Sequence, residues 1–321
     1  MAVPGGRVTV EGGPFGVHDT HLPVVRIGTH EARLVFATPR ELSTLVPPGL
    51  EGARVQVRVE DAPGASVFVE VGRVVATGIH QVDSPAVDPE GTVYLTCSGT
   101  RGQQTPVSVY RVRDGGPREV FVTGLTNATA LAMGPDGALY VTSRFDGSVS
   151  RIDAQGRAET VVSDLGIACG LAFGGDGAMY VGDRSGTVFR VEASGETRTL
   201  ATLPPSVAAY HLAVGPDEAV FVAGPTMGSR DHVYRIDPAG RVDVFASGFG
   251  RPQGLAFGPS GALYVVEALA GVVGLYRVTG HAAPELVLSA PSLVGVAFDP
   301  RGGLVVASNE TAWRFSETLP L

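Results

Sequence analysis

The chain contains no lysine; all 24 basic residues are arginine. Chemistry that needs a lysine amine, whether a Schiff base or the phosphate-gripping lysine of a P-loop, is therefore excluded. Cysteine is scarce too. Cys97 and Cys169 each stand at the edge of an apolar strand segment, which suits small buried thiols better than a disulfide framework. No apolar run approaches the roughly 20 residues needed to cross a bilayer, and the opening MAVPGGRVTV lacks the charged start and apolar core of a signal peptide. The sequence as given reads as soluble, without a signal peptide and cytoplasmic by default. A net charge of -8, spread thinly, leaves no basic footprint for a polyanion, so no nucleic acid and no membrane are expected as partners.

What the chain has in quantity is glycine (44) and proline (23), clustered between apolar runs as a many-stranded all-β protein requires. One pattern recurs six times: SPAVDPEGTVYL, TALAMGPDGALYV, CGLAFGGDGAMYV, YHLAVGPDEAVFV, QGLAFGPSGALYV and VGVAFDPRGGLVV. Each copy is an apolar run, a turn and a second apolar run, with the turn residues 91, 137, 177, 218, 261 and 302 standing 40 to 46 positions apart. Such a period, with two hairpin-linked strands per unit, signals a radial β-repeat. Each unit divides into four strands, the number in one propeller blade. The third strand always carries an arginine, namely Arg111, Arg151, Arg190, Arg235, Arg277 or Arg314. Recurrence in every unit marks these six as structural rather than catalytic.

The sixth unit stops after its third strand, with only SETLPL following AWRF, and GRVVATG at 72–78 is available to complete it. That pairing would remove two open sheet edges. Residues 1–70 lack the repeat and read as short strands, RVTVEG, VVRIG, EARLVFA and ARVQVRVED, separated by GGPFG, PPGLEG and APGAS. This pattern suggests a small β-sandwich. The fold expected is all-β, a six-bladed β-propeller over 71–321 behind an N-terminal immunoglobulin-like β-sandwich over 1–70.

Two family resemblances attach to these segments. GGRVTVEGGPFG, VVRIGTHEARLV and LVPPGLEGARVQVRVED resemble the IPT/TIG module, an immunoglobulin-like fold. The repeats, reading GLAFxPDGxLYV and then a strand ending RI or RV, resemble NHL-type and gluconolactonase-type (regucalcin-like) propellers. The latter resemblance implies a lactone-opening metal site built from a Glu, an Asn and an Asp on the inner strands. DSPAV at 83–87 puts Asp83 in the acidic position, but the other inner strands begin TALA, CGLA, YHLA, QGLA and VGVA, and Asn127 lies two residues out of register.

In a propeller the starts of the inner strands and the loops after the second strands converge on one face. Asp83, Asp183 and Glu267 fall in alternate units, so three carboxylates are expected near the axis. Such a cluster suits a divalent cation, Ca²⁺, Mg²⁺, Mn²⁺ or Zn²⁺. The blander reading makes Asp183 and Glu267 rim residues paired with Arg184, Arg144 or Arg230. His211 is the candidate general base, with His80 as a second, and no GxSxG nucleophile context occurs. Tyr210, Gln253, Arg144, Arg184, Arg230 and His232 are the candidate ligand-binding residues, and the loops 98–106 and 225–232 are long enough to shape a mouth.

The preferred functional reading is a recognition propeller that takes a small polar or sugar-like ligand, or a protein segment, at the loop face. The competing reading is a divalent-metal-dependent hydrolase of lactones or esters with a degenerate metal site.

Overall fold

The structure, a computed structural model, describes every residue except 19, 20, 61, 63, 65, 66, 270, 271, 281 and 316–321. The APGAS turn lies partly, and the SETLPL tail wholly, outside the described residues. Among the described residues all regular structure is β-strand.

The first 71 residues form two small sheets. One orders Arg7–Glu11, Glu41–Leu45 and Leu34–Ala37; the other orders His30–Ala32, Val25–Ile27, Ala53–Val59 and Val67–Val71. Phe15, Val25, Ile27, Leu42, Val57 and Val69 fill the space between them. Two partly polar sheets of this size gain stability chiefly by burying these apolar faces on each other.

Beyond them lie six four-stranded antiparallel sheets. The first runs Ala86–Val87, Val93–Thr96, Val109–Val112 and Arg118–Val122 from its inner to its outer edge. The next four begin with the inner strands Ala128–Met133, Ala168–Phe173, His211–Val214 and Pro252–Phe257. The sixth runs Leu293–Phe298, Leu304–Ser308 and Thr311–Phe315, and its outer edge is Arg73–Thr77. There Thr77 stands opposite Thr311 and Arg73 opposite Arg314, so chain from just behind the sandwich completes the last sheet.

Six apolar clusters separate these sheets. The one between sixth and first is built from Val305, Ala307 and Ala312 against Val93, Leu95 and Val112. Every sheet therefore buries both faces on neighbours, which is why the strands read as near-continuous apolar runs. The inner strands approach closely enough to exclude side chains at some positions. A Cβ on Gly295 would lie 2.4 Å from Ser84 Cα, and one on Gly254 would lie 2.6 Å from Gly295 Cα. These glycines are the G of the VGVA and QGLA motifs.

The turn position of each repeat demands a left-handed backbone, with φ of 75° to 87° at the five glycines and 61° at Glu218, the one exception. The turn aspartates then organise the rim. Asp136 accepts from Ala138 N and pairs with Arg151, Asp176 accepts from Ala178 N and pairs with Arg190, and Asp217 pairs with Arg235. Arg111 and Arg277 reach Glu119 and Glu285, and Arg314 donates to Gly91 O. All six recurrent arginines are thus engaged along the outer face.

The two parts of the chain are tied by its first residues. Ala2 bridges to both Val71 and Ser289, and Val3 enters the cluster that holds Trp313, the sole tryptophan. Arg7 N donates to Ser289 Oγ at 2.7 Å.

Candidate functional site

A cavity of about 340 Å³ opens where the six inner strands begin. Every sheet contributes to its wall: Val82 and Arg101 from the first, Arg144 from the second, and Cys169 and Arg184 from the third. Ala209 comes from the fourth, Gln253 from the fifth, and Val294 and Asn309 from the sixth. The volume lies at the lower end of the roughly 300–1,000 Å³ usual for small-molecule sites.

Beneath the cavity is a buried polar floor. Asp83 Oδ1 lies 2.6 Å from His211 Nδ1 and accepts from Ser84 N, while His211 Nε2 lies 3.2 Å from Gln253 Oε1. Gln81 donates to Asp83 O, accepts from Thr96 N and O–H, and its own carbonyl accepts from Asn309 Nδ2. His211 is 0% exposed, with both ring nitrogens engaged. Two arrangements satisfy this geometry: an imidazolium donating to both oxygens, or a neutral ring with the Gln253 amide turned to donate to Nε2. In both, His211 braces the floor and presents no free nitrogen to the cavity. His80, just before the floor, has a buried Nδ1 without a partner; burial first, and then the charge of Arg144, hold its imidazole below the usual histidine range.

Asp183 and Glu267 do not join Asp83. Among the described residues no three His, Cys, Asp or Glu side chains come together as a metal site, so the divalent cation implied by the lactonase resemblance does not fit this set. Instead each carboxylate fastens the loops at the end of its second strand. Asp183 accepts from Ile167 N, Ser185 N and the Ser185 hydroxyl; Glu267 accepts from Gly250 N, Arg251 N and Leu269 N. Ser143 and Ser308 do the corresponding work in the second and sixth sheets. The expected pairing of Asp183 with Arg184 is also absent. Arg184 donates to the carbonyls of Ser206 and Val207.

Of the six candidate ligand-binding residues, Gln253, Arg144 and Arg184 line the cavity. Tyr210 does not, because its ring is sunk against Gly182 and Gly224 and its hydroxyl donates to Pro204 O; burial raises its phenol above the ordinary value. Arg230 lies elsewhere, with Glu267 and Tyr276 beside a separate depression, and donates to Gly248 O. His232 is engaged with Ser247 on the third strand of its sheet.

Arg101, Gln81 and Asn309 also reach the site. Arg101 is held there by Asn127, a fully buried amide with φ of 52° that accepts from Gly102 N and donates to Ser98 O and Thr100 O. Cys169 faces the cavity as an inert thiol, since burial pushes it up to about 12.

Sheets of this number and order, with one shared cavity at the inner strand starts, define a β-propeller. The chain matches the Virginiamycin B lyase family over residues 86–293 and belongs to that family. Among solved structures it is similar to a catalytically inactive histidine-to-alanine variant of virginiamycin B lyase from Staphylococcus aureus with quinupristin, at 15% identity and TM-score 0.56, covering 96% of this chain and 98% of that one. It is similar to a gluconolactonase from Xanthomonas campestris, at 17% identity and TM-score 0.61, over 76% of this chain and 89% of that one. An auxiliary nutrient binding protein from Bacteroides ovatus aligns over 98% of this chain and 95% of its own, at 14% identity and TM-score 0.56. No curated protein matches. Among the described residues no helix is long and apolar enough to cross a membrane.

Proposed function

We propose that this chain is a recognition protein, a six-bladed propeller behind an immunoglobulin-like IPT/TIG-type module, that binds a small polar ligand at the mouth of its central channel without transforming it. The observation that carries this reading is the state of the reactive groups at the mouth. The floor histidine is fully buried and doubly engaged, and the cavity thiol is protonated. A wall built of three guanidiniums and three amides among apolar side chains suits binding and orientation rather than nucleophilic or base chemistry. The auxiliary nutrient binding protein from Bacteroides ovatus, similar in fold over nearly the whole chain, supports this reading by its name alone.

Family membership favours a second reading, a lyase or lactone hydrolase. The staphylococcal lyase becomes inactive when one histidine is replaced. Here that role would fall to His80, whose buried Nδ1 has no partner and whose imidazole burial and then Arg144 hold below the usual histidine range.

The test is a calorimetric screen of small polar compounds and monosaccharides, with turnover of quinupristin and simple lactones followed in parallel. Saturable binding that Val294→Phe blocks, without turnover, is the expected result. Turnover abolished by His80→Ala or His211→Ala in a protein that stays folded would replace the recognition reading with the enzymatic one. A rise in melting temperature on adding Ca²⁺, Mg²⁺, Mn²⁺ or Zn²⁺ would argue the same way.

A further inference from the structure

The class of ligand follows from the charges at the mouth, given the recognition reading above. Arg101, Arg144 and Arg184 all border the one cavity, and no Asp or Glu is among the described residues that line it. None of the three has a carboxylate partner within 4.0 Å among the described residues, in contrast to the recurrent arginines of the rim. Two buried acids close to the mouth are turned into the walls, Asp83 to His211 and Ser84, Asp183 to backbone amides and Ser185.

Arg144 is the most telling of the three. One Nη2 bond goes to Gly99 O, and its Nε is buried with no partner at all. Burial, opposed by Cys169 and then reinforced by the like charges of Arg184 and Arg101, holds its guanidinium below the ordinary arginine range. Like charges gathered at one mouth, with Arg101 exposed and Arg144 and Arg184 half-buried, repel one another, and an anion between them removes that cost. Where His211 is the imidazolium, Gln253 adds a donor, because its Nε2 then has no partner among the described residues.

We infer that the channel mouth binds a small organic oxyanion, a carboxylate or a phosphate ester, with its charged group between the guanidiniums of Arg101, Arg144 and Arg184. The planar, five-donor guanidinium matches both anions with paired hydrogen bonds, and three of them converge from different sheets. Val82, Ile167 and Val294 supply apolar surface for a short body, and about 340 Å³ sets its size. The protein as a whole carries a charge of -8, so the mouth inverts the sign of the surrounding surface and selects against neutral analogues.

The experiment is isothermal titration of the full chain, at fixed ionic strength, with succinate and with glycerol 3-phosphate, against the neutral counterparts succinamide and glycerol. Arg144→Gln and Arg184→Gln are the mouth variants, Arg235→Gln is the rim control, and Trp313 fluorescence checks that each is folded. At least one anion binds, its neutral counterpart does not, and either mouth variant weakens binding at least about tenfold, while the rim variant leaves it unchanged. The two anions distinguish a carboxylate ligand from a phosphate one. Absence of binding by both anions, equal binding of the neutral compound, or affinity untouched by both mouth variants overturns the inference. The recognition reading is judged separately, by the neutral-ligand screen and the Val294→Phe variant.

Discussion

The propeller uses the same two residue types, arginine and acid, in opposite ways on its rim and at its mouth. On the rim each pairs with the other: Arg190 Nη2 meets Asp176 at 2.7 Å and Arg235 Nη2 meets Asp217 at 2.6 Å. At the mouth they are kept apart. The carboxylate of Asp183 grips backbone amides and Ser185, that of Asp83 grips His211, and the guanidiniums of Arg144 and Arg184 touch only carbonyls. Neutralised pairs at the periphery hold strands in register, whereas separated charges around a cavity leave a positive site with no internal counter-ion. Composition is common to both regions; placement relative to the axis decides which role a residue has.

The largest effect expected from breaking this division is at the floor. Asp83→Ala strips the partner from a fully buried histidine and should cost about 3–5 kcal/mol in urea unfolding followed by Trp313 fluorescence. A loss under about 1 kcal/mol would show that the floor does not brace the mouth. Asp183→Ala should follow at about 2–3 kcal/mol, since three donors lose a charged acceptor, and Asp183→Asn should recover part of it. On the rim, Arg190→Ala should cost about 1 kcal/mol or less, because partly exposed pairs gain little in water.

The smallest effect is in the pH profile. The hydrogen bond from Arg235 holds the Asp217 carboxyl below the usual range. A depressed folded value gives stability that is fully present above the unfolded value of about 3.9 and is lost as pH falls through the lower folded one. Acid unfolding of Arg235→Ala should therefore be shallower below about pH 4 than that of the parent protein. Identical acid limbs would mean that the rim pair is not formed in solution.

Much of the architecture was legible in the sequence because it repeats. Turn residues (glycine in five of six units), paired apolar runs and the recurrent arginines appear in every unit, so their spacing alone locates sheets and rim. The shortfall of one strand in the sixth unit and the spare GRVVATG are equally visible. The mouth was legible only in outline. Radial geometry brings inner strand starts together, which places Gln253, Arg144 and Arg184 near the cavity, but residue type does not say where a side chain points. Asp183 and Glu267 look like metal ligands and act as loop fasteners, because their partners are mostly backbone N–H groups, which leave no trace in sequence. Tyr210 sits at an inner strand start and is drawn inward by the space above Gly182 and Gly224. Arg101 depends on the Asn127 latch, a contact across about 25 residues that no local pattern encodes.

The central claim is that the guanidiniums of the mouth, unlike those of the rim, await an external anion. Diffraction from crystals soaked in selenate would locate bound oxyanion directly through its anomalous signal. The expected result is a peak within hydrogen-bond distance of Arg144 and Arg184 and none beside Arg190 or Arg235. A mouth without such a peak at saturating selenate would contradict the account.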